Sequence, residues 1–144
     1  MMKDLAIRCD CGVTALNLSG TPMARGICHC TSCRALYNAA FHAGAVWQAD
    51  AMSVIQGKAT IRQYTYPGKE LRRYWCGECG AIVFNTNRFG YVVIPQSLLR
   101  KAHGGDLPPN LAPQMHLFYA SRIVDIDDSL SKFLDGTNGP LYKG

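Results

Sequence analysis

The sequence lacks any apolar run approaching the ~18 residues that a membrane-crossing helix requires. Among its longest is Tyr91-Val92-Val93-Ile94-Pro95, which is the length of a strand. A secretory leader is not expected either. Lys3 is followed only by Leu5-Ala6-Ile7 between Asp4 and Arg8, with no apolar centre of about 7–15 residues. The expected compartment is therefore the reducing cytoplasm, where thiols persist as thiols or bind metal. No internal repeat and no low-complexity linker interrupts the chain. Charged residues are sparse at 17% while apolar residues reach 48%. That balance excludes a disordered chain and a coiled coil. The 144 residues suit one domain, residues 1–144.

Glycine and proline together make up 21 residues, slightly above the usual share, which favours turns over long helices. Short segments rich in Val, Ile, Tyr and Thr predict strands at 5–8, 13–18, 40–45, 52–55, 60–66, 71–75, 81–85, 91–94 and 115–119. Ser19-Gly20-Thr21-Pro22, Gly57-Lys58 and Pro67-Gly68 mark turns. Residues 28–37 are expected to close with a helical turn, and His103–Pro113 reads as a loop. Asp127-Asp128-Ser129 offers an N-cap for a helix through Leu134, stopped by Gly136. The result is a mainly β, mostly antiparallel domain.

Seven cysteines stand out, and an odd number leaves one thiol over in any disulfide scheme. They fall into three groups. These are Cys9-Asp10-Cys11-Gly12, Cys28-His29-Cys30-Thr31-Ser32-Cys33, and Cys76-Gly77-Glu78-Cys79-Gly80. Clustering at one- and two-residue spacing is what tetrahedral zinc ligation demands. Four plus three is the natural division. A four-thiolate site is closed and structural, and a three-thiolate site leaves a position open for chemistry. Gly12 and Gly80 directly follow a cysteine pair, where the chain bends back around sulfur and favours a positive φ. The middle group is followed by Arg34 instead. This pairs Cys9, Cys11, Cys76 and Cys79 in the closed site and leaves Cys28, Cys30 and Cys33 in the open one. Spacing alone also allows Cys30 and Cys33 to pair with Cys76 and Cys79 in a two-knuckle ribbon.

The combined pattern, ending in Arg73-Tyr74-Trp75-Cys76-Gly77-Glu78-Cys79-Gly80, resembles the glutathione-dependent formaldehyde-activating family, which also includes centromere protein V. Phe41, Gly57, Tyr64 and Pro113-Gln114-Met115-His116 support the resemblance, which spans about residues 5–134. It implies a single β-tent of short antiparallel sheets leaning together around a structural zinc. It implies the same division of cysteines, with Cys28, Cys30 and Cys33 holding a second, catalytic zinc, hence two zinc ions per chain. It further implies a carbon–sulfur lyase joining a glutathione-like thiol to a small aldehyde, with S-hydroxymethylglutathione as the family's type product.

Such a thiol carries carboxylates. Arg34, beside the open site, is the sequence candidate for a carboxylate clamp, because its planar fork pairs bidentately. His116 is the candidate acid or base taken from the family motif. His29, between two ligands, should point away from the metal. Trp47, Trp75 and the seven tyrosines are read as core or strand faces. The competing reading is a non-catalytic zinc module that contacts protein or nucleic acid. Residues 1–105 carry a balance of +7 and residues 106–144 one of −2. Seven thiolates and two zinc ions would bring the formal charge from +5 to about +2, which argues against nucleic acid. A thiol-redox role for Cys30 and Cys33 conflicts with metal on the same sulfurs. Membrane partners are not expected, and a homo-oligomer is left open.

Overall fold

The computed structural model describes residues 4–144. Residues 1–3, and with them the Lys3 of the leader argument, lie outside the described residues. Among the described residues eleven strands form two sheets. The smaller is built from β1 (Leu5–Arg8), β2 (Ala15–Leu18) and β5 (Met52–Gln56), in the order β1-β2-β5. The larger contains β3 (Ala24–Cys28), β4 (His42–Trp47), β6 (Ile61–Thr65), β7 (Arg72–Cys76), β8 (Ile82–Thr86), β9 (Val92–Pro95), β10 (Met115–Leu117) and β11 (Ser131–Lys132). Its order is β11-β10-β3-β4-β9-β8-β7-β6, antiparallel except where β10 lies parallel to both β3 and β11. Two α-helices accompany the sheets, α1 (Thr31–Tyr37) and α2 (Gln96–Ala102). The architecture is mainly β, as expected.

Strand alternation sorts the large sheet into two faces. Along β4, Ala45 and Trp47 are buried on one face with Val92 and Ile94 of β9. The small sheet turns Ile7, Leu16 and Leu18 towards the same apolar cluster, and α2 adds Leu98 and Leu99. Burying each such side chain contributes roughly 1.5–3 kcal/mol, so this shared core is what holds the two sheets against each other. Trp47 keeps its indole N–H satisfied on the Gly20 carbonyl at 3.1 Å. The opposite face of β4 presents His42, Gly44 and Val46, and that face carries the cavity described below.

Three elements differ from the expectation. The strand β3 has no apolar alternation in Ala-Arg-Gly-Ile-Cys, yet antiparallel pairing with β4 holds it in the middle of the sheet. The helix α2 follows directly on β9 behind Pro95, where its two buried leucines supply the driving force. The predicted helix from Asp127 to Leu134 does not form. Asp128 is instead drawn to His116 Nε2 at 2.8 Å and to Lys132 Nζ at 2.8 Å, and its carboxylate accepts from the Leu130 N–H. With those partners fixed, Ser131–Lys132 runs extended beside β10.

Candidate functional site

The first cysteine group follows β1 and the third closes β7, so the two sheets bring them to one end of the molecule. Cys9, Cys11, Cys76 and Cys79 have all four sulfurs within 4.8 Å of one another. Cys9 and Cys11 Sγ are 3.6 Å apart, and Cys11 and Cys76 Sγ are 3.8 Å apart. A tetrahedron with metal–sulfur bonds of ~2.3 Å has edges of about 3.8 Å, whereas a disulfide requires about 2 Å. The two turns are alike in build. Gly12 N–H bonds the Cys9 carbonyl and Gly80 N–H bonds the Cys76 carbonyl. Gly12 has φ 79° and Gly80 φ 78°, the left-handed conformation that glycine adopts without cost. The Val13 N–H lowers the Cys11 pKa, but desolvation and the thiols of Cys9, Cys79 and Cys76 outweigh it and push the thiol up to about 12. Crowded sulfurs that resist joint ionisation are the donor set a dication satisfies. Lys101 of α2 donates to the Cys9 carbonyl at 2.9 Å and lies 3.6 Å from Asp10, placing a positive charge beside these thiols.

The second group sits where β3 passes into α1. Cys28 is the last residue of β3, Cys30 caps α1, and Cys33 lies in its first turn. The cap is a hydrogen bond from the Cys33 N–H to Cys30 Sγ at 3.2 Å, which turns Cys30 and Cys33 towards each other. The three sulfurs again lie within 4.8 Å of one another. Hydrogen bonds from the Cys28 and Cys33 thiols hold Cys30 down at about 2, and Cys28 and Cys30 in turn drive the Cys33 thiol upwards. Three sulfurs this close, on one strand-to-helix turn, can hold a metal cation. The ribbon alternative fails, because Cys76 and Cys79 cluster with Cys9 and Cys11.

A cavity of about 740 Å³ opens beside Cys28, Cys30 and Cys33. Its floor is the large-sheet face of β3 and β4. The hairpin tip at Gly68–Leu71 and the turn at Asn87–Phe89 form its walls, and Lys69 Nζ donates to Ser32 Oγ of α1 across the opening. His42 stands in the floor, opposite Cys28 in the strand register. Its ring stacks on Tyr37 with centroids 3.5 Å apart, and Tyr37 donates to the Asn85 side chain. His42 Nε2 is buried without a hydrogen-bond partner. It lies over Gly44, where a Cβ would stand 2.9 Å from it and 2.9 Å from the Ile94 carbonyl. Gly44 thus makes room for the imidazole.

Residues 4–121 match the family described as glutathione-dependent formaldehyde-activating enzyme. The chain belongs to this family. A crystal structure of a Rhodobacter sphaeroides protein shares the fold at a TM-score of 0.55 and 16% identity, covering 74% of this chain and 98% of that one. Among curated proteins none matches. Family membership brings glutathione-dependent formaldehyde activation as the general activity. No helix among the described residues is long and apolar enough to cross a membrane.

In this family member the two residues that sequence reading placed around the substrate stand elsewhere. The Arg34 guanidinium is engaged behind the metal loop, where it donates to the His29 carbonyl at 3.2 Å, the Ser121 carbonyl at 3.2 Å and Thr31 Oγ1 at 3.4 Å. It does not line the cavity. His116 is fully buried and does not line it either. It belongs to a chain of hydrogen bonds that ends on the Asp128 carboxylate. A carboxylate only accepts, so His116 Nε2–H donates to Asp128 at 2.8 Å. His116 Nδ1 and His29 Nε2 share a hydrogen bond at 2.9 Å. Burial works against ionisation of Asp128, but Lys132 and His116 prevail and hold its pKa at about 2. His29 therefore points away from the trio, as expected, and braces the loop that carries Cys28 and Cys30. No local spacing signals this network, since 87 residues separate the two histidines.

Burial lowers both His29 and His42 from 6.5 to about 4. The unfolded chain binds these protons first as pH falls. The two histidines therefore cost no stability above pH 6.5 and destabilise the fold progressively as pH falls towards 4. Protonation of metal-binding thiolates acts in the same direction. Urea titrations of wild type and His42→Phe at equal metal content separate the two effects. The variant should show the shallower acid limb, and identical slopes would exclude the imidazole contribution.

Proposed function

We propose that this chain is a zinc-dependent carbon–sulfur lyase that adds a glutathione-like thiol to an aldehyde, giving S-hydroxymethylglutathione when the aldehyde is formaldehyde. In that reaction a carbon–sulfur bond forms, the S–H bond breaks, and the proton ends on the former carbonyl oxygen. The observation that carries the reading is the trio of Cys28, Cys30 and Cys33, open on one side to a cavity of about 740 Å³. Zinc held by these three cysteines would favour the thiolate form of an incoming thiol and polarise a carbonyl.

The remaining work falls to the walls. Lys69 lines the opening and takes the carboxylate-binding role that Arg34 is turned away from. The His42 ring, stacked on Tyr37 in the floor opposite Cys28, shapes the metal end of the cavity. The enclosed floor holds thiol and carbonyl together, which is where much of the acceleration arises. Cys9, Cys11, Cys76 and Cys79 hold a second zinc that is structural.

Metal analysis should find about two zinc ions per chain, and mixing with formaldehyde and glutathione should deplete both substrates faster than the uncatalysed reaction. One zinc together with three readily alkylated thiols would sink the open site. DNA binding with a salt slope of several ions and no turnover would favour the non-catalytic module instead.

A further inference from the structure

The cavity is far larger than a one-carbon aldehyde needs, and its walls divide by polarity. At the metal end stand the three cysteines and His42. Lys69 reaches from the hairpin tip to Ser32, between Cys30 and Cys33, and Arg88 lies on the turn after β8, beyond the Val46 end of the floor. Arg25 borders the cavity, but its guanidinium is committed to the Pro109 carbonyl at 3.0 Å. Away from the cysteines the floor turns apolar. Down β3 and β4, Cys28 faces His42, then Gly26 faces Gly44, then Ala24 faces Val46. At ~3.3 Å per residue this floor extends about 13 Å from Cys28 to Ala24. Leu117 of β10 borders it on one side and Val93 of β9 on the other.

The floor forms a trough over Gly26 only, because the His42 imidazole and the Val93 side chain already fill the space over Gly44. Gly44 cannot take a side chain, for the reasons given above. Gly26 has no such constraint. A Cβ there would find its nearest neighbours at 3.4 Å (the Met115 carbonyl) and 3.5 Å (Leu117 Cδ1), and its φ is not in the left-handed region. Nothing in the local packing requires glycine at Gly26, so the space it leaves is available to a ligand.

We propose that this trough holds an unbranched apolar arm of several carbons carried by the aldehyde. The preferred substrate is then an alkyl aldehyde, and the product is an S-(1-hydroxyalkyl) thiol. This inference rests on the thiol-plus-aldehyde reading above. The bond changes are the same as for formaldehyde: the sulfur bonds to the carbonyl carbon and the S–H proton moves to oxygen, with no oxidant or reductant. The arm runs from the reacting carbon over Gly26 towards Ala24, while the charged ends of the thiol lie towards Lys69 beside the cysteine loop.

S-methyl-, S-butyl- and S-hexylglutathione are stable mimics of such products, and calorimetry reads their binding to the zinc-loaded chain without turnover. Affinity should tighten roughly three- to fourfold per methylene as apolar surface leaves water. From the methyl to the hexyl member the gain should reach on the order of 10²-fold or more. Gly26→Val should erase most of that gain and leave S-methylglutathione binding unchanged. A flat series with measurable binding throughout would overturn the apolar arm and leave the thiol reading standing. Tightening that survives in Gly26→Val would also overturn it, because the arm would then lie elsewhere. If no member binds, the glutathione reading itself fails and this inference falls with it. The wild-type series decides the matter even if the variant does not fold.

Discussion

Cys11→Ser and Cys79→Ser chains should show no cooperative melt by circular dichroism. Zinc held by the sulfur tetrad would tie the end of β1 in the small sheet to the end of β7 in the large one. A structural zinc contributes on the order of 10–16 kcal/mol to folding in small peptides, against a net stability of ~5–15 kcal/mol for a whole domain. A serine hydroxyl is a poor replacement for thiolate on a borderline-soft ion. Losing one ligand also leaves three crowded sulfurs whose mutual repulsion no cation relieves. The apolar cluster of Ile7, Leu16, Trp47 and Ile94 would remain available. It packs only if the two sheets meet, and the tetrad is what sets their approach at that end.

Cys30→Ser should behave in the opposite way. The variant should melt within about 1–2 kcal/mol of wild type, a typical single-substitution cost. It should retain about one zinc per chain and lose activity by at least ~10²-fold. Removing a mere outer partner of a metal ligand already costs ~10–100-fold, so removing a ligand lies at or beyond that range. The fold should survive because serine can do the other task of Cys30. Cys30 Sγ accepts the Cys33 N–H that starts α1, and serine is among the preferred residues for that cap. Melts of Cys11→Ser, Cys79→Ser and Cys30→Ser side by side decide between the two roles. Equal loss of structure in all three would refute the division into a structural and a catalytic site.

The metal clusters were legible because their chemistry is local. A cysteine, one or two spacers, another cysteine and a glycine report the bend of the chain before any fold is known, and Gly12 and Gly80 take the conformation that the pattern implies. Most strands were legible from β-branched and aromatic runs, with ends displaced by a residue or two. β3 was not, since its small residues serve the cavity floor rather than an alternating core face. Arg34 misled through proximity. Being next to Cys33 in sequence placed it on α1, but its side chain reaches back to the His29 and Ser121 carbonyls. Asp128 misled through propensity. It reads as a helix cap until His116 and Lys132 supply stronger partners. His42 carries no sequence signal at all. Only the β3–β4 register sets it opposite Cys28.

The parallel pairing of β10 with β3 has a consequence for the order in which the chain is made. Every other neighbour of β3 is available once β4 has emerged from the ribosome. The strand carrying Cys28 nevertheless keeps one unpaired edge until Met115–Leu117 follows, and β10 waits in turn for Ser131–Lys132. Asp128, which fixes the two histidines behind the metal loop, is equally late. The loop with the open cysteines is therefore synthesised early and braced last, and a nascent chain halted before residue 115 would present it beside a bare strand edge. Pairing across so long a stretch of sequence is slow to form, so the thiols of Cys28, Cys30 and Cys33 spend the longest interval of any part of the site exposed to whatever metal or oxidant the growing chain meets.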